Sequence, residues 1–204
     1  MTRTKKDNTE EKILKAAQDV FVKKGMDGAR MQEIADEAGI NKALLHYYFR
    51  TKERLFHAIF KKVLSKIMPN VQIMVNAKAP IDEKLGAFIE KYIDLLLKNP
   101  FLPAFILREI NRDPEFLASL FMSSGLEYAP IFGMFQKEMD AGNIIQMEPR
   151  ELLINILSMC IFPIATKSLI TIMLFENNQK TYDTFMQKRK ESVKKFVLNA
   201  ILTK

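Results

Sequence analysis

The chain of 204 residues has few of the residues on which catalytic and metal sites usually depend. It contains one cysteine, two histidines and no tryptophan. One cysteine cannot form an internal disulfide, and His46 and His57 do not stand at zinc-site spacing. The sequence also lacks a glycine-rich phosphate loop and a nucleophile elbow. We therefore expect no enzyme, no metal site and no cofactor, and we expect a protein of the reducing cytoplasm.

The single thiol, Cys160, lies in an apolar run. A redox sensor needs an exposed thiol with a lowered pKa, whereas an apolar environment buries the group and keeps it protonated. The sequence favours a buried structural thiol.

Glycine and proline are also scarce, with seven and eight residues. These numbers are too small for a fibrous or disordered chain, and 48% apolar with 27% charged residues is a globular balance. Apolar residues recur with the 3.6-residue period of helices, and no alternating strand pattern is visible. The sequence therefore predicts an all-α fold.

The amino-terminal residues are charged and polar, so we expect no secretory leader. Arg3, Lys5 and Lys6 suit a basic arm that reaches into a DNA minor groove, and equally a solvated tail. Thr9 is a good N-cap, and the two acids that follow it favour a helix start there. Gly25 predicts the end of this helix.

Residues 30–52 predict two short helices joined by a tight turn. Apolar residues from Met31 to Ala38 recur at helical spacing, and Gly39 suits the positive φ of a chain leaving a helix. Asn41 is a good N-cap for a second helix over residues 42–48. So short a helix needs the preceding one as a platform, which is the helix-turn-helix arrangement.

The second helix offers DNA-binding chemistry if Leu45 and Phe49 face inward. Basic side chains and tyrosine hydroxyls contact phosphate, whereas histidine and small apolar groups contact base edges. We assign phosphate contacts to Arg30, Lys42 and Lys52, and base contacts to His46 with Ala43 and Leu44. The predicted DNA-binding residues are Arg30, Gln32, Asn41, Lys42, Ala43, Leu44, His46, Tyr47, Tyr48 and Lys52.

The charge distribution also favours DNA as the partner. The net charge is +7, and residues 40–66 contain seven Lys or Arg against one acid. Such a patch attracts polyanions and makes binding fall with salt. An anionic membrane surface would be attracted in the same way.

This region resembles the DNA-binding domain of TetR/AcrR-type bacterial transcriptional regulators over about residues 9 to 56. The resemblance implies a homodimer whose last two long helices, about 150–175 and 181–202, form a four-helix interface. Family members often have Thr or Ser where this chain has Ala29 and Arg30, which leaves the cap of the second helix open. The residues that carry the resemblance are Ile13-Leu14, Ala16-Ala17, Phe21, Gly25, Ile34-Ala35, Ala38-Gly39-Ile40, Leu45, Tyr47-Tyr48-Phe49 and Lys52-Glu53.

The remaining chain predicts a larger helical domain. We place a DNA-binding domain at 1–55 and an effector-binding and dimerisation domain at 56–204. A helix over 52–75 should kink or end at Pro69, and one from Pro114 towards Asp140 should kink at Pro130. Residues 102–110 should form a short helix buried on most sides.

Aromatic and methionine residues are concentrated in the middle of the chain. They suit an apolar ligand pocket between helices, although a plain core is the better interpretation for any single one of them. The candidates for the pocket are Phe88, Tyr92, Phe105, Arg108, Tyr128 and Phe132.

Leu152–Phe175 is the most apolar stretch and contains one charge, Lys167. Its length allows a membrane span, but a central charge costs about 2.5–3.5 kcal/mol in a bilayer. Burial in a subunit interface is the better interpretation.

Together these features predict a dimeric DNA-binding transcriptional repressor. A small hydrophobic effector would release it from a near-palindromic operator. Two alternatives remain open: a membrane-associated helical protein, and a small-molecule-binding helical protein with a vestigial DNA head.

Overall fold

A computed structural model describes the backbone of residues 2–125 and 127–203 and the side chains of 8–65, 71–72, 75–104, 106–125 and 127–203. Helices account for the fold, and the only extended pairing in this part of the chain is one bridge between Ile144 and Leu202. The all-α prediction is confirmed. The helices are α1 Thr2–Gly28, α2 Met31–Glu37, α3 Lys42–Tyr48, α4 Lys52–Asn76, α5 Ile81–Lys98, α6 Phe101–Arg112, α7 Pro114–Ser123, α8 Tyr128–Asp140, α9 Pro149–Ala165, α10 Lys167–Leu174 and α11 Gln179–Ile201.

The chain divides into two compact units. The first comprises the residues up to 67 together with 104–124, and the second comprises 68–103 and the residues from 125 onward. The first unit therefore contains a segment that is distant in sequence from the DNA-binding motif. A functional boundary near residue 55 stays a prediction.

The core of the first unit forms where α1 packs against α2 and α4. Ile13 and Phe21 are fully buried, as their spacing predicted, and the rings of Phe21 and Phe56 lie 5.3 Å apart. Helix α1 begins at Thr2 rather than at Thr9. Gly25 has non-helical backbone angles (φ 69°, ψ 174°), so the predicted break is present. The side chains of the basic arm lie outside the described residues.

The second unit is built around α5, which packs on α9 and α11. The α5–α11 contact carries two ion pairs, Lys194 with Glu90 at 3.2 Å and Lys190 with Asp94. Gly86 leaves room for the end of the Lys194 side chain, whose Cε would lie 2.7 Å from a Cβ at this position.

The region from Pro114 to Asp140 contains two helices, so the prediction of one kinked helix is wrong. Helix α7 begins as predicted, with the Asp113 carboxylate accepting the Phe116 N–H at 2.9 Å. It ends at Ser123, before Gly125, whose φ of +84° is incompatible with a continuing helix. Pro130 lies in the first turn of α8, where its missing N–H disrupts no helical bond.

The apolar stretch 150–175 also contains two helices rather than the predicted single one. Helices α9 and α10 are bent by 76° at Thr166. Pro163 leaves the Met159 carbonyl without its helical donor, and Arg189 supplies one at 3.0 Å. The Pro163 carbonyl accepts the Tyr182 hydroxyl at 3.1 Å, so α11 stabilises the break.

Helices α4 and α6 bear on two further expectations. Helix α4 runs through position 69 to Asn76, so Pro69 does not end it. Helix α6 is less buried than its composition predicted, because Leu107 and Ile110 are 45% and 48% exposed.

Candidate nucleic-acid interface

The turn between α2 and α3 has the geometry that the sequence predicted. Gly39 adopts a φ of 63°, and the next N–H, that of Ile40, returns to the Ala35 carbonyl at 3.0 Å. The Asn41 side chain accepts the Leu44 N–H at 2.7 Å and so caps α3. Leu45 is fully buried and anchors the short helix against its platform.

The outward face of α3 carries the predicted DNA-binding side chains. Lys42, Ala43, Leu44 and His46 are exposed, and Tyr47 is 72% exposed. Tyr48 is half-buried and packs edge-on against Tyr47, with ring centroids 5.5 Å apart. The helix therefore presents a mixed cationic, hydroxyl and apolar surface, which suits a DNA groove.

His46 has one ring nitrogen engaged by the protein. Its Nδ1 lies 3.1 Å from the Arg50 carbonyl and donates to it, because a carbonyl oxygen only accepts. In the neutral ring, Nε2 is then the acceptor. His46 is thus suited to a base edge that offers a donor, such as an adenine or cytosine amino group.

The start of α2 is capped without a hydroxyl side chain. The Glu33 carboxylate accepts the Arg30 N–H at 3.3 Å and also binds the Lys24 ammonium at 2.9 Å. The hydrogen bond from Lys24 holds the pKa of Glu33 below its usual value, with a smaller contribution from the Arg30 N–H. Arg30 itself is exposed.

Two predicted contact residues have partners within the protein. The Lys52 ammonium donates to the carbonyls of Ala29 at 3.1 Å and Asp27 at 3.4 Å. It therefore holds the segment before α2, and its predicted phosphate contact competes with these bonds. Gln32 donates to Asp36 at 2.8 Å on the exposed side of α2.

An ionic cluster in the first unit was not predicted. Glu109 is fully buried, and its carboxylate contacts the Arg112 guanidinium at 2.8 Å and the Arg108 guanidinium at 3.3 Å. Arg108 also reaches Asp27 at 3.2 Å. The only signal in the sequence was one acid between two arginines at helical spacing.

The predicted pocket residues are divided between the two units. Arg108 belongs to the first unit, whereas Phe88 and Tyr92 belong to the second. Periodicity shows which face of α6 is polar but not which helix that face meets, so the sequence did not reveal the contact of Arg108 with Asp27.

The other predicted pocket residues form two stacked aromatic pairs in the second unit. The ring centroids of Phe88 and Tyr92 lie 5.5 Å apart, and those of Tyr128 and Phe132 lie 6.1 Å apart. Burial raises the pKa of Tyr92 and of Tyr128. The side chain of Phe105 lies outside the described residues.

The thiol of Cys160 is buried, which confirms its structural assignment. Burial raises its pKa to about 12, opposed weakly by Arg189. A thiol in this state is a poor redox sensor.

Two properties of the described residues bear on other classes of function. They contain no group of three or more His, Cys, Asp or Glu side chains placed to hold a metal. No individual helix among them has the length and apolarity to cross a bilayer, although α9 and the sharply bent α10 meet that criterion as a pair.

Known proteins match part of the chain. The family described as "Bacterial regulatory proteins, tetR family" matches residues 13–59. The transcriptional regulator RutR of Escherichia coli K12 is 33% identical over 119 residues, which are 58% of this chain and 49% of RutR. The transcriptional activator FasR of Mycolicibacterium smegmatis is 30% identical over 94 residues, or 46% of this chain and 43% of FasR. The chain thus matches less than half the length of these two relatives.

The fold as a whole also has solved counterparts. The regulator FadR of Bacillus subtilis, solved in complex with stearoyl-CoA, superposes with a TM-score of 0.67 at 19% identity. The match covers 93% of this chain and 98% of FadR. At this identity the similarity establishes the fold.

Proposed function

We propose that this chain is a dimeric transcriptional repressor of the tetR family of bacterial regulatory proteins, whose model matches residues 13–59. DNA binding and transcriptional regulation come with the family. The proposal adds a near-palindromic operator, a homodimer and release by a small hydrophobic effector.

The exposed face of α3 is the observation that carries the proposal. A buried Leu45 fixes the helix, and five of its seven residues, together with half-buried Tyr48, remain available to a groove. We assign residues 42–48 of each subunit to a major groove. Twofold symmetry then requires two half-sites separated by about one helical turn or a multiple of it.

Salt-dependent operator binding tests this assignment. The operator is first obtained by selecting DNA from a random pool with the purified protein. Lys42→Ala and Arg30→Ala should weaken binding to all sequences and each flatten the salt slope by about one unit. Lys91→Ala is the matched control, because Lys91 is exposed on α5 in the second unit. Unchanged slopes for both variants would remove these residues from the interface.

The base contacts need a separate measurement. His46→Ala should relax discrimination at one base pair by about 1–3 kcal/mol, whereas a phosphate contact lowers affinity uniformly. Full discrimination by His46→Ala would show that position 46 reads no base.

Exposed apolar residues on α9 and α11 support the homodimer. Ile154 and Phe162 lie on α9 and are 61% and 60% exposed, and Phe196 on α11 is 66% exposed. Large apolar side chains exposed on neighbouring helices mark an interface, since obligate interfaces resemble a core divided in two. We propose that α9 and α11 of two subunits form it.

The two stacked aromatic pairs support the effector proposal. An effector that binds best to subunits whose DNA-binding heads are misplaced shifts the population towards that state. Thermal-shift screening of hydrophobic compounds, including stearoyl-CoA because FadR is described in complex with it, identifies binders. Each binder is then tested for release of the operator. Tight binders that never change DNA affinity would contradict the mechanism.

A membrane-associated helical protein is the second candidate, because α9 and α10 together are apolar enough to insert. Cell fractionation distinguishes this candidate from the DNA-binding repressor. Recovery in the membrane fraction, resistant to high salt, would favour the second candidate.

A further inference from the structure

A cleft in the second unit combines apolar walls with a cluster of lysines. It has a volume of about 770 Å³ and lies between the last turn of α4, residues 77–80, the start of α5 and the middle of α8. None of the predicted pocket residues lines it. Its size is that of a small-molecule site.

Lys84 is the unusual residue of this cleft. Only 8% of it is exposed, and its ammonium has one long hydrogen bond, 3.5 Å to the Val75 carbonyl. Among the side chains that the structure describes, no carboxylate lies within 4.0 Å of this ammonium. A buried cation is normally paired with an anion, because desolvation disfavours its charge.

The position of Lys84 on its helix adds to this imbalance. It lies in the fourth position of α5, near the positive end of the helix dipole, where anions are favoured and cations are not. The carbonyl of Val75, at the end of α4, offsets this only in part. Asp82 and Glu83 of the same turn also offset the dipole, and an anion in the cleft would in addition pair with the Lys84 ammonium.

Two other lysines give the cleft a positive balance. Lys78 and Lys137 line it, against a single acid, Glu138. The Glu138 carboxylate is already engaged, since it accepts the Asn143 side-chain amide at 2.7 Å.

The rest of the wall is apolar or open. Val75, Pro130 and Met134 contribute apolar surface. Gly133 leaves space, because a Cβ built on it meets no atom within 4 Å. The cleft thus offers a cationic end and an apolar surface to one ligand.

We propose that this cleft binds an anionic amphiphile, an apolar chain that carries a carboxylate or a phosphate, with its anionic group on Lys84. The proposal depends on the proposed function only for its consequence, which is that this ligand is the effector. Ligand binding itself does not require DNA.

Calorimetric titration with four probes tests the ligand class. The probes are decanoate, decanoyl-CoA, coenzyme A alone and the neutral methyl decanoate. The protein should bind decanoate or decanoyl-CoA at least tenfold more tightly than methyl decanoate, because only the charged ligands pair with Lys84. Tighter binding of decanoyl-CoA, with measurable binding of coenzyme A, identifies phosphate as the anion. Tighter binding of decanoate identifies carboxylate.

Two variants test whether the ligand binds in the cleft. Lys84→Met keeps the apolar stem but removes the charge, and should lose the preference for the charged probe. Gly133→Leu fills the open space and should weaken every probe at least tenfold while leaving the fold intact. Lys91→Met is the control on the exposed side of α5 and should bind as the parent does.

Three results would overturn the proposal: equal affinity for methyl decanoate and the charged probes, no binding of any anionic probe, or unchanged binding by Gly133→Leu. If Lys84→Met does not fold, Gly133→Leu still decides the location. Operator binding is measured on the same preparations. If the protein binds its operator but no anion, only the proposed ligand site is contradicted. If it binds the anion but no operator, only the proposed repressor function is contradicted.

Discussion

Helix α3 and helices α9 and α10 all present exposed faces, and these faces differ in chemistry. The face of α3 carries Lys42, His46 and Tyr47, whereas that of α9 and α10 carries Phe162 and Ile172, which is 62% exposed. Polar groups lose little by meeting water, so α3 suits a partner that comes and goes. Large apolar groups gain only when covered, so α9 and α10 suit a lasting partner.

The difference extends to how each face is held. Helix α3 has seven residues and depends on one buried leucine, one capped turn and a neighbouring helix. Helix α9 has seventeen residues and contributes Leu152, Ile156 and Cys160 to a core. A short helix can be displaced by a change in its supports, and a long core helix cannot move without repacking.

The largest effect on stability should come from truncating the buried side of α3, compared with truncating its exposed side. Leu45→Ala should lower the free energy of unfolding of the first unit by about 2–5 kcal/mol, because it leaves a cavity under the helix. Leu44→Ala, one residue earlier and exposed, should change it by less than about 0.5 kcal/mol. Urea unfolding followed by circular dichroism measures both. Similar values would mean that Leu45 does not anchor the helix.

The second-largest effect should be on dimer association through the apolar face of α9 and α11. Replacing Phe162 and Phe196 together by Lys should raise the dimer dissociation constant at least about 30-fold, since each is a large apolar side chain at a proposed interface centre. Analytical ultracentrifugation over a concentration series measures this change. Leu97→Lys is the control, an exposed apolar residue on α5, and should leave the association unchanged. A double variant that associates like the parent would move the interface elsewhere.

A smaller effect is expected at the turn that sets the angle of α3. Gly39→Ala should destabilise the first unit by about 1–2 kcal/mol, because φ of +63° is strained for alanine although no atom lies within 4 Å. Gly133→Ala has the same open space but lies inside α8, so it should stabilise its unit by up to about 1 kcal/mol. Thermal unfolding of both variants shows whether the cost at Gly39 is conformational. Equal shifts would indicate that it is not.

The smallest effect should be a pH dependence of the stability of the first unit. Burial lowers the pKa of His57, opposed by Glu109, and its ring packs against Phe116 with centroids 4.4 Å apart. Because the unfolded chain binds this proton more readily, stability should decrease as pH falls from about 6.5 towards the folded-state pKa. The charged groups acting on the imidazole are Glu53, Arg108, Glu109 and Arg112.

His57→Gln removes this titration, so its urea midpoint should change less with pH than that of the parent. Measurements between about pH 7 and pH 5.5 cover the window that begins at the ordinary pKa of histidine. Parallel profiles for the two proteins would show that His57 contributes nothing to acid sensitivity.

Most of the DNA-binding head was predictable because its determinants are local. Gly39 and the Asn41 cap depend on neighbours within five residues, and the inward direction of Leu45 follows from helical spacing. The structure reproduces all three. The prediction failed where a helix break depends on a distant partner. Pro163 marks a possible break, but Arg189 and Tyr182 supply the hydrogen bonds that stabilise it.

The sequence by itself determined the helical class, the apolar faces and the exposed basic surface around α3, because spacing, caps and charge are local properties of a chain. Tertiary structure alone decided the partners of the long polar side chains. It placed Lys52 on the carbonyls before α2, Arg108 on Asp27 and Lys84 in a cleft where its ammonium reaches the Val75 carbonyl. A lysine or arginine side chain reaches several ångströms in any direction, so its partner depends on which helices pack beside it, and periodicity does not contain that information.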